Sequence, residues 1–272
     1  MLKPYEGWLL ATDIDGTIKP FNKPIPQNNI DAIRRFTEGG GLFTLVTGRS
    51  ICAALPAVRD LGLTGPMLVN NGSTAYDYQT NEILFTTDLP DEVYKVIGDW
   101  LTRFPTVGME VYHDRTLAIL RRTDITDKRL RRFDINAMIY RYESLETCEK
   151  PWQKALACAP KEVSDEIERY ARDTMPENIL FMRTSDEYCE LVPKGASKGD
   201  GVRRLAKMLG IRPDRIITAG DYNNDLDLLS AGALSFAPAD GLAVAKETAT
   251  HITVPCDEGI LPHILAVLDG TR

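Results

Sequence analysis

Four short polar segments hold the residues best able to do chemistry: Asp13-Ile14-Asp15-Gly16-Thr17, Thr47-Gly48-Arg49, Lys194-Gly195-Ala196-Ser197-Lys198-Gly199 and Gly220-Asp221-Tyr222-Asn223-Asn224-Asp225. Together they supply clustered carboxylates, hydroxyls, ammonium groups and several flexible backbone amides. That inventory suits a hard cation plus a phosphate. Carboxylate oxygens bind Mg2+, and a lysine, a hydroxyl and turn amides cradle phosphate oxygens. Taken singly, the segments say less. Asp-x-Asp-Gly is commonly a turn, and Ser197-Lys198 at a helix start reads equally well as a cap with a solvated lysine. Neither acidic segment is a calcium loop. The first lacks the later glycine and the twelfth-position glutamate, and after Asp221 those positions hold Leu226 and Gly232. The five cysteines show no C-x-x-C spacing, and His113, His251 and His263 are scattered. A disulfide framework, a histidine metal site and a Ser-His-Asp set all lose support.

These segments must be positioned by the elements before them, and the chain alternates strand and helix signals to do so. Trp8 to Ala11 is a short apolar run that suits a buried parallel strand. Asn28 to Glu38 follows with helical spacing and stops at Gly39-Gly40-Gly41. Leu42–Val46 reads as a strand, then comes a helix with one proline (Pro56), then a strand at Met67–Val69. The tail repeats the rhythm: helix from Lys198 to Leu209 before Gly210, strand Arg215–Ala219, helix Asn223–Ala231, strands at Leu234–Ala237 and Ile252–Val254, and a last helix near Leu261–Leu268. This predicts an α/β fold, a Rossmann-like parallel-sheet core over 1–86 and 189–272. The middle reads differently. Its order is αββαβαββ, with a helix over Pro90–Arg103, a hairpin around His113-Asp114-Arg115 and a helix over Thr126–Tyr140. We expect an inserted α+β domain over 87–188, with a mostly antiparallel sheet and helices on one face. In such a parallel sheet, ligands sit outside the carboxyl ends of the strands, where the four segments fall.

In this order the segments resemble the haloacid dehalogenase superfamily of phosphohydrolases, and most closely its Cof-like sugar-phosphatase branch with a large α+β (type IIB) cap. Asp13-Ile14-Asp15-Gly16-Thr17 resembles the first motif of the family, Thr47 in Val46-Thr47-Gly48-Arg49 the second, Lys198 in Ser197-Lys198-Gly199 the third, and Gly220-Asp221-x-x-Asn224-Asp225 the fourth. Asp257-Glu258-Gly259-Ile260 is similar to a further stretch of this branch. The sequence departs at Asp227-Leu228-Leu229, where relatives often carry a methionine-leucine pair, a position read here as packing. The resemblance implies that Asp13 is the nucleophile forming an aspartyl-phosphate and Asp15 the general acid and base. It implies that Asp13, Asp15 and Asp221 hold Mg2+, with Asp225 a ligand or one step behind. Gly16, Thr47, Gly48, Lys198 and Asn224 would hold the phosphoryl oxygens. Arg49 either reaches the substrate or pairs with a core carboxylate, and Asn71 is a candidate contact to the leaving group.

The expected reaction is Mg2+-dependent hydrolysis of a phosphate monoester of a small metabolite, a sugar phosphate first. A phosphosugar mutase and a non-catalytic metabolite-binding regulator are the alternatives. No G-x-G-x-x-G follows the first strand, which disfavours a dinucleotide enzyme. The cap is expected to set specificity. Residues 115–141 contain eight Arg or Lys and three Asp, and the cluster Lys128-Arg129-x-Arg131-Arg132 reads as a solvated helix face or as a second anion contact. The chain has 272 residues, 43% of them hydrophobic and 26% charged, and a formal charge of −7. That balance excludes a disordered protein and disfavours a nucleic-acid coat. No apolar run is long enough for a signal core or a spanning helix. The expected partner is a small phosphorylated metabolite, with no nucleic acid and no membrane, for a cytoplasmic monomer or small homo-oligomer.

Overall fold

The computed structural model describes residues 3–21, 23–61, 63, 65–132 and 140–270. The chain opens with β1 (Leu9–Thr12), α1 (Gln27–Glu38), β2 (Leu42–Leu45), α2 (Ile51–Leu61), β3 (Met67–Val69), β4 (Thr74–Asp77) and β5 (Glu82–Thr86). It continues through α3 (Glu92–Arg103), β6 (Gly108–His113), β7 (Thr116–Arg121), α4 (Asp124–Arg132), β8 (Tyr140–Tyr142), β9 (Lys154–Cys158), α5 (Lys161–Thr174), β10 (Ile179–Arg183) and β11 (Tyr188–Pro193). It closes with α6 (Lys198–Met208), β12 (Ile216–Ala219), α7 (Leu226–Ala231), β13 (Leu234–Ala237), α8 (Ala243–Thr248), β14 (His251–Ile252) and α9 (Leu261–Gly270). Two compact units result. One comprises Met1–Gly48, Ala54–Phe85 and Ser197–Arg272, and the other Arg49–Ala53 and Thr86–Ala196.

The first unit is built on a five-stranded parallel sheet in the order β14-β13-β12-β1-β2. Every residue of β1 is buried, as its unbroken apolar run requires of a strand covered on both faces. β3 extends the sheet through a parallel bridge between Val46 and Leu68. It then turns into a β3-β4-β5 ribbon, antiparallel between β3 and β4, whose last two strands are not among the expected elements. Their turn has a local cause: the Asp77 carboxylate accepts hydrogen bonds from the backbone N–H groups of Gln79 and Thr80, an Asx turn. Helix α1 buries Ala32, Ile33 and Phe36 and stops where the glycine run predicted.

The second unit is a six-stranded sheet in the order β10-β11-β9-β6-β7-β8. All its pairs are antiparallel except β7 with β8. Three expectations need correction. First, the helix expected over Thr126–Tyr140 is α4 from Asp124 to Arg132, residues 133–139 lie outside the described residues, and Tyr140–Tyr142 is a strand. The alternating aromatics of Tyr-Arg-Tyr favour extended backbone. Second, the helices do not share one face. Val93, Ile97 and Trp100 of α3 and Ile167 and Ala171 of α5 pack with Met109 and Val111. Leu130 of α4 packs with Tyr112, Leu156 and Cys158, and since strand side chains alternate, these residues point to the opposite face. Third, the expected boundary at 189 falls inside β11, which is paired to both β9 and β10, so this unit runs on to Ala196.

The face under α4 also carries buried charge. Glu110, fully buried, accepts hydrogen bonds from Arg129 Nη1 (2.6 Å) and from the Tyr112 hydroxyl (2.6 Å). Lys154 pairs with Glu190 at 2.8 Å. Much of the basic segment is thus engaged within its own unit: Arg129 on Glu110, Lys128 on Glu187, Arg122 on Asp127, and Arg121 on the carbonyls of Leu101 and Phe104. Removing one partner of a buried pair strands the other. Arg129→Ala should therefore cost roughly 3–5 kcal/mol of unfolding free energy, measured by guanidinium denaturation, whereas Glu110→Leu combined with Arg129→Met should recover most of that loss.

Candidate active site

The site gathers where two loops leave the parallel sheet of the first unit and α6 begins beside them. The loop after β1 carries Asp13 and Asp15, the loop after β12 carries Asp221 and Asp225, and the first residue of α6 is Lys198. Ser197 caps that helix, its Oγ accepting a hydrogen bond from the Asp200 N–H at 3.1 Å. The cap sets the direction in which α6 leaves and turns Lys198 inward. Its Nζ donates to Asp13 Oδ1 at 2.7 Å and to Asp225 Oδ1 at 2.6 Å, and its side chain is 1% exposed.

Asp225 accepts three hydrogen bonds: its Oδ1 from Lys198 Nζ, and its Oδ2 from the N–H groups of Asp221 and Tyr222, both at 3.0 Å. Asp13, Asp221 and Asp225 can each bring one oxygen within 4.8 Å of the others. Among the described residues this is the one such group of three His, Cys, Asp or Glu. Thr17, to which the motif alone assigns no role, is fully buried and donates from Oγ1 to Asp221 Oδ1 at 2.6 Å. Gly16 lies beside the same carboxylate. Its φ is +84°, and a Cβ there would sit 2.3 Å from Asp221 Oδ2, so the loop admits only glycine.

The remaining expected residues line the neighbouring edge. Thr47 is buried and tied by its N–H to the Leu68 carbonyl (2.9 Å), and its own carbonyl accepts from the Asn71 N–H (3.0 Å). Asn224 Nδ2 approaches Asn71 Oδ1 at 3.4 Å, and a Cβ on Gly48 would lie 2.9 Å from that same oxygen. Asn70 and Asn71 are both buried and both adopt left-handed backbone, with φ of 51° and 57°. Two such residues in a row store strain of about 1–3 kcal/mol each, a cost that clusters at functional sites. Arg49 Nη1 donates to the Ala53 carbonyl at 3.2 Å. Asp257 pairs with Lys23 on the surface. Leu228 and Leu229 are buried packing residues as expected. Asp227 is not: its Oδ2 accepts a hydrogen bond from the Ser197 hydroxyl.

Electrostatics set the chemistry. Burial pushes the Asp13 carboxyl well above its usual range, Lys198 pulls it back, and the charges of Asp225, Asp221 and Asp15 push it up again. Burial also raises Asp221 to about 6, with the Thr17 hydrogen bond opposing and Asp225 adding. Lys198 is held protonated: burial works against its charge, but Asp13 and Asp225 outweigh it. The donor set is all oxygen and net negative, so a hard divalent cation fits it. A carboxyl raised in the folded state penalises folding once it ionises. In the absence of divalent metal, stability should therefore fall as pH rises from about 4 to about 7, with Asp221 alone contributing up to about 3 kcal/mol. Asp221→Asn should flatten that slope, as read by thermal unfolding in EDTA.

Comparison with known proteins points the same way. Residues 10–264 match the family model described as haloacid dehalogenase-like hydrolase. A phosphatase of Bacillus subtilis, the 5-amino-6-(5-phospho-D-ribitylamino)uracil phosphatase YitU, is 26% identical over 271 residues, covering 94% of each chain. A haloacid dehalogenase-like hydrolase from Bacteroides thetaiotaomicron superimposes with a TM-score of 0.85 at 24% identity, over 97% of this chain and 99% of that one. The subclass IIB sugar phosphatase BT4131 gives a TM-score of 0.80 at 20% identity, over 96% and 98%. The chain belongs to the haloacid dehalogenase-like hydrolase family.

Proposed function

We propose that this enzyme hydrolyses the phosphate monoester of a small metabolite, a sugar phosphate first, with Mg2+ as cofactor and an aspartyl-phosphate on Asp13 as intermediate. The observation that carries the reading is the buried ammonium of Lys198 set 2.7 Å from Asp13 Oδ1. It draws down the pKa of a carboxyl that burial and the neighbouring acids hold raised, and so favours the ionised Asp13 that an attack on phosphorus needs. Asp13 and Asp221 would hold the metal, with the main-chain carbonyl of Asp15 as a further oxygen. Asp225 would stand behind them, fixing Lys198 and the loop. When bound, Mg2+ supplies the positive charge that lets an anionic carboxylate approach an anionic phosphate.

The first half-reaction forms a bond from an Asp13 oxygen to phosphorus and breaks the bond to the leaving oxygen, which Asp15 protonates. In the second half Asp15 takes a proton from water, the water oxygen bonds to phosphorus, and Asp13 is released. Lys198, the Thr47 hydroxyl, Asn224 and the amides around Gly16 and Gly48 hold the non-bridging oxygens while charge moves among them. Asn71 faces Gly48 and Asn224, which supports a role beside the leaving group. Arg49 is assigned to the same task on its sequence position alone. The names of relatives support the substrate class: one is a phosphatase of a phosphoribityl compound, another a sugar phosphatase. All five cysteines are free, in keeping with a reducing, cytoplasmic setting.

Phosphate release should be measured over sugar phosphates, phosphoglycerates and nucleotides, in Mg2+ and in EDTA. We expect metal-dependent release that Asp13→Asn lowers at least about a thousandfold. Release that survives Asp13→Asn refutes the assigned nucleophile. Release seen only with a sugar bisphosphate as activator favours the mutase.

A further inference from the structure

We infer that Asp227 is a positioning residue for Lys198, acting through the Ser197 hydroxyl, so that one short segment grips the lysine at both ends. This rests on the phosphatase reading above. At the head of the side chain, Asp225 Oδ1 holds the ammonium at 2.6 Å. At its root, two residues further along the same segment, Asp227 Oδ2 accepts the proton of Ser197 Oγ. That Oγ in turn accepts from the Asp200 N–H at 3.1 Å, the capping bond of α6. A serine hydroxyl has one proton and can turn toward several acceptors. With Asp227 fixing that proton, the lone pairs of Oγ stay aimed at the helix N-terminus, and the backbone at Lys198 is held with them.

The packing leaves no slack at this point. A Cβ on Gly199 would lie 2.3 Å from both the carbonyl oxygen and Oδ2 of Asp227, so α6 rests directly on the start of α7. Arg203 steadies the carboxylate from the solvent side, with Nη2 3.1 Å from Asp227 Oδ1 and Nη1 2.8 Å from Asp200 Oδ1. Those outer ion pairs are nearly half exposed and contribute little by themselves. The Ser197 bond is the inner link. Lys198 lies between Asp13 and Asp225 with almost no exposure, so a small swing of its stem moves the ammonium off both carboxylates. A misplacement of about 1 Å at a reacting group costs about a hundredfold in rate.

The test uses the whole enzyme with p-nitrophenyl phosphate as substrate and inorganic phosphate as inhibitor. Asp227→Ala and Ser197→Ala should each lower kcat/KM by about 10–100-fold and weaken phosphate inhibition. The double variant should be no worse than either single one, because both cut the same link. Asp227→Asn keeps an oxygen that accepts from Ser197 and should stay within about threefold of wild type. Thermal midpoints of all variants confirm folding. Several results overturn the inference: an unchanged kcat/KM in Asp227→Ala, equal losses in Asp227→Ala and Asp227→Asn, or losses that multiply in the double variant. A shift in the thermal midpoint with unchanged kinetics assigns Asp227 a structural role only and also overturns it. Lys198→Ala separates the two readings. If that variant is impaired while Asp227→Ala is not, the link fails and the phosphatase assignment stands. If the wild type neither releases phosphate nor is inhibited by it, both fail.

Discussion

The ammonium of Lys198, sealed between Asp13 and Asp225, is the interaction on which the site depends. Burying an ammonium is costly unless it is paired and fully hydrogen-bonded, and here two carboxylates meet it at hydrogen-bond distance. The dependence runs both ways. Without that ammonium, burial and the neighbouring charges would favour the protonated forms of Asp13 and Asp221 still further. The three segments that meet here lie far apart in the chain. They converge only once β1 pairs with β12 and α6 packs on α7. Closing the parallel sheet and assembling the site are one event.

That arrangement leaves a residue of frustration. Lys198 meets two carboxylates, and the raised carboxyls of Asp13 and Asp221 show that burial and mutual repulsion outweigh its charge. A chain selected for stability alone would replace one of them. Their retention follows the general pattern in which local rules are broken where chemistry is done and the cost is met by the surrounding structure. The surroundings here are rigid: a fully buried central strand, a threonine locking Asp221, and two backbone N–H groups locking Asp225.

The sequence made the core strands and helices of the first unit legible because their signals are local. An unbroken apolar run marks β1, and a glycine run ends α1. Asp13, Asp15 and Asp221 were legible as candidates because they follow strands of a parallel sheet, where ligands gather. What stayed hidden depends on long-range partners. Nothing near Thr17 in the chain says that its hydroxyl will meet Asp221, and Asp227 reads as part of a packing helix until Ser197 is placed beside it. The face chosen by α4 was hidden because its sequence is dominated by charge. Its docking rests on Leu130 and on Arg129 finding Glu110. Strand β8 is only three residues long and draws its pairing from β7. The β4–β5 return was in principle readable, from the aspartate that nucleates its turn.

The paired left-handed asparagines at the end of β3 bear on how this chain can diverge. Only glycine, asparagine and aspartate enter that backbone region at modest cost, and burial at Asn70 and Asn71 removes the solvent that would soften a poor fit. Drift along β3 itself can trade one aliphatic side chain for another, since volume and polarity are all that a buried strand demands. Two positions later that freedom ends, and a single-base change to isoleucine or threonine would meet the backbone before it met any substrate. The edge of the site is therefore guarded by conformation as well as by chemistry.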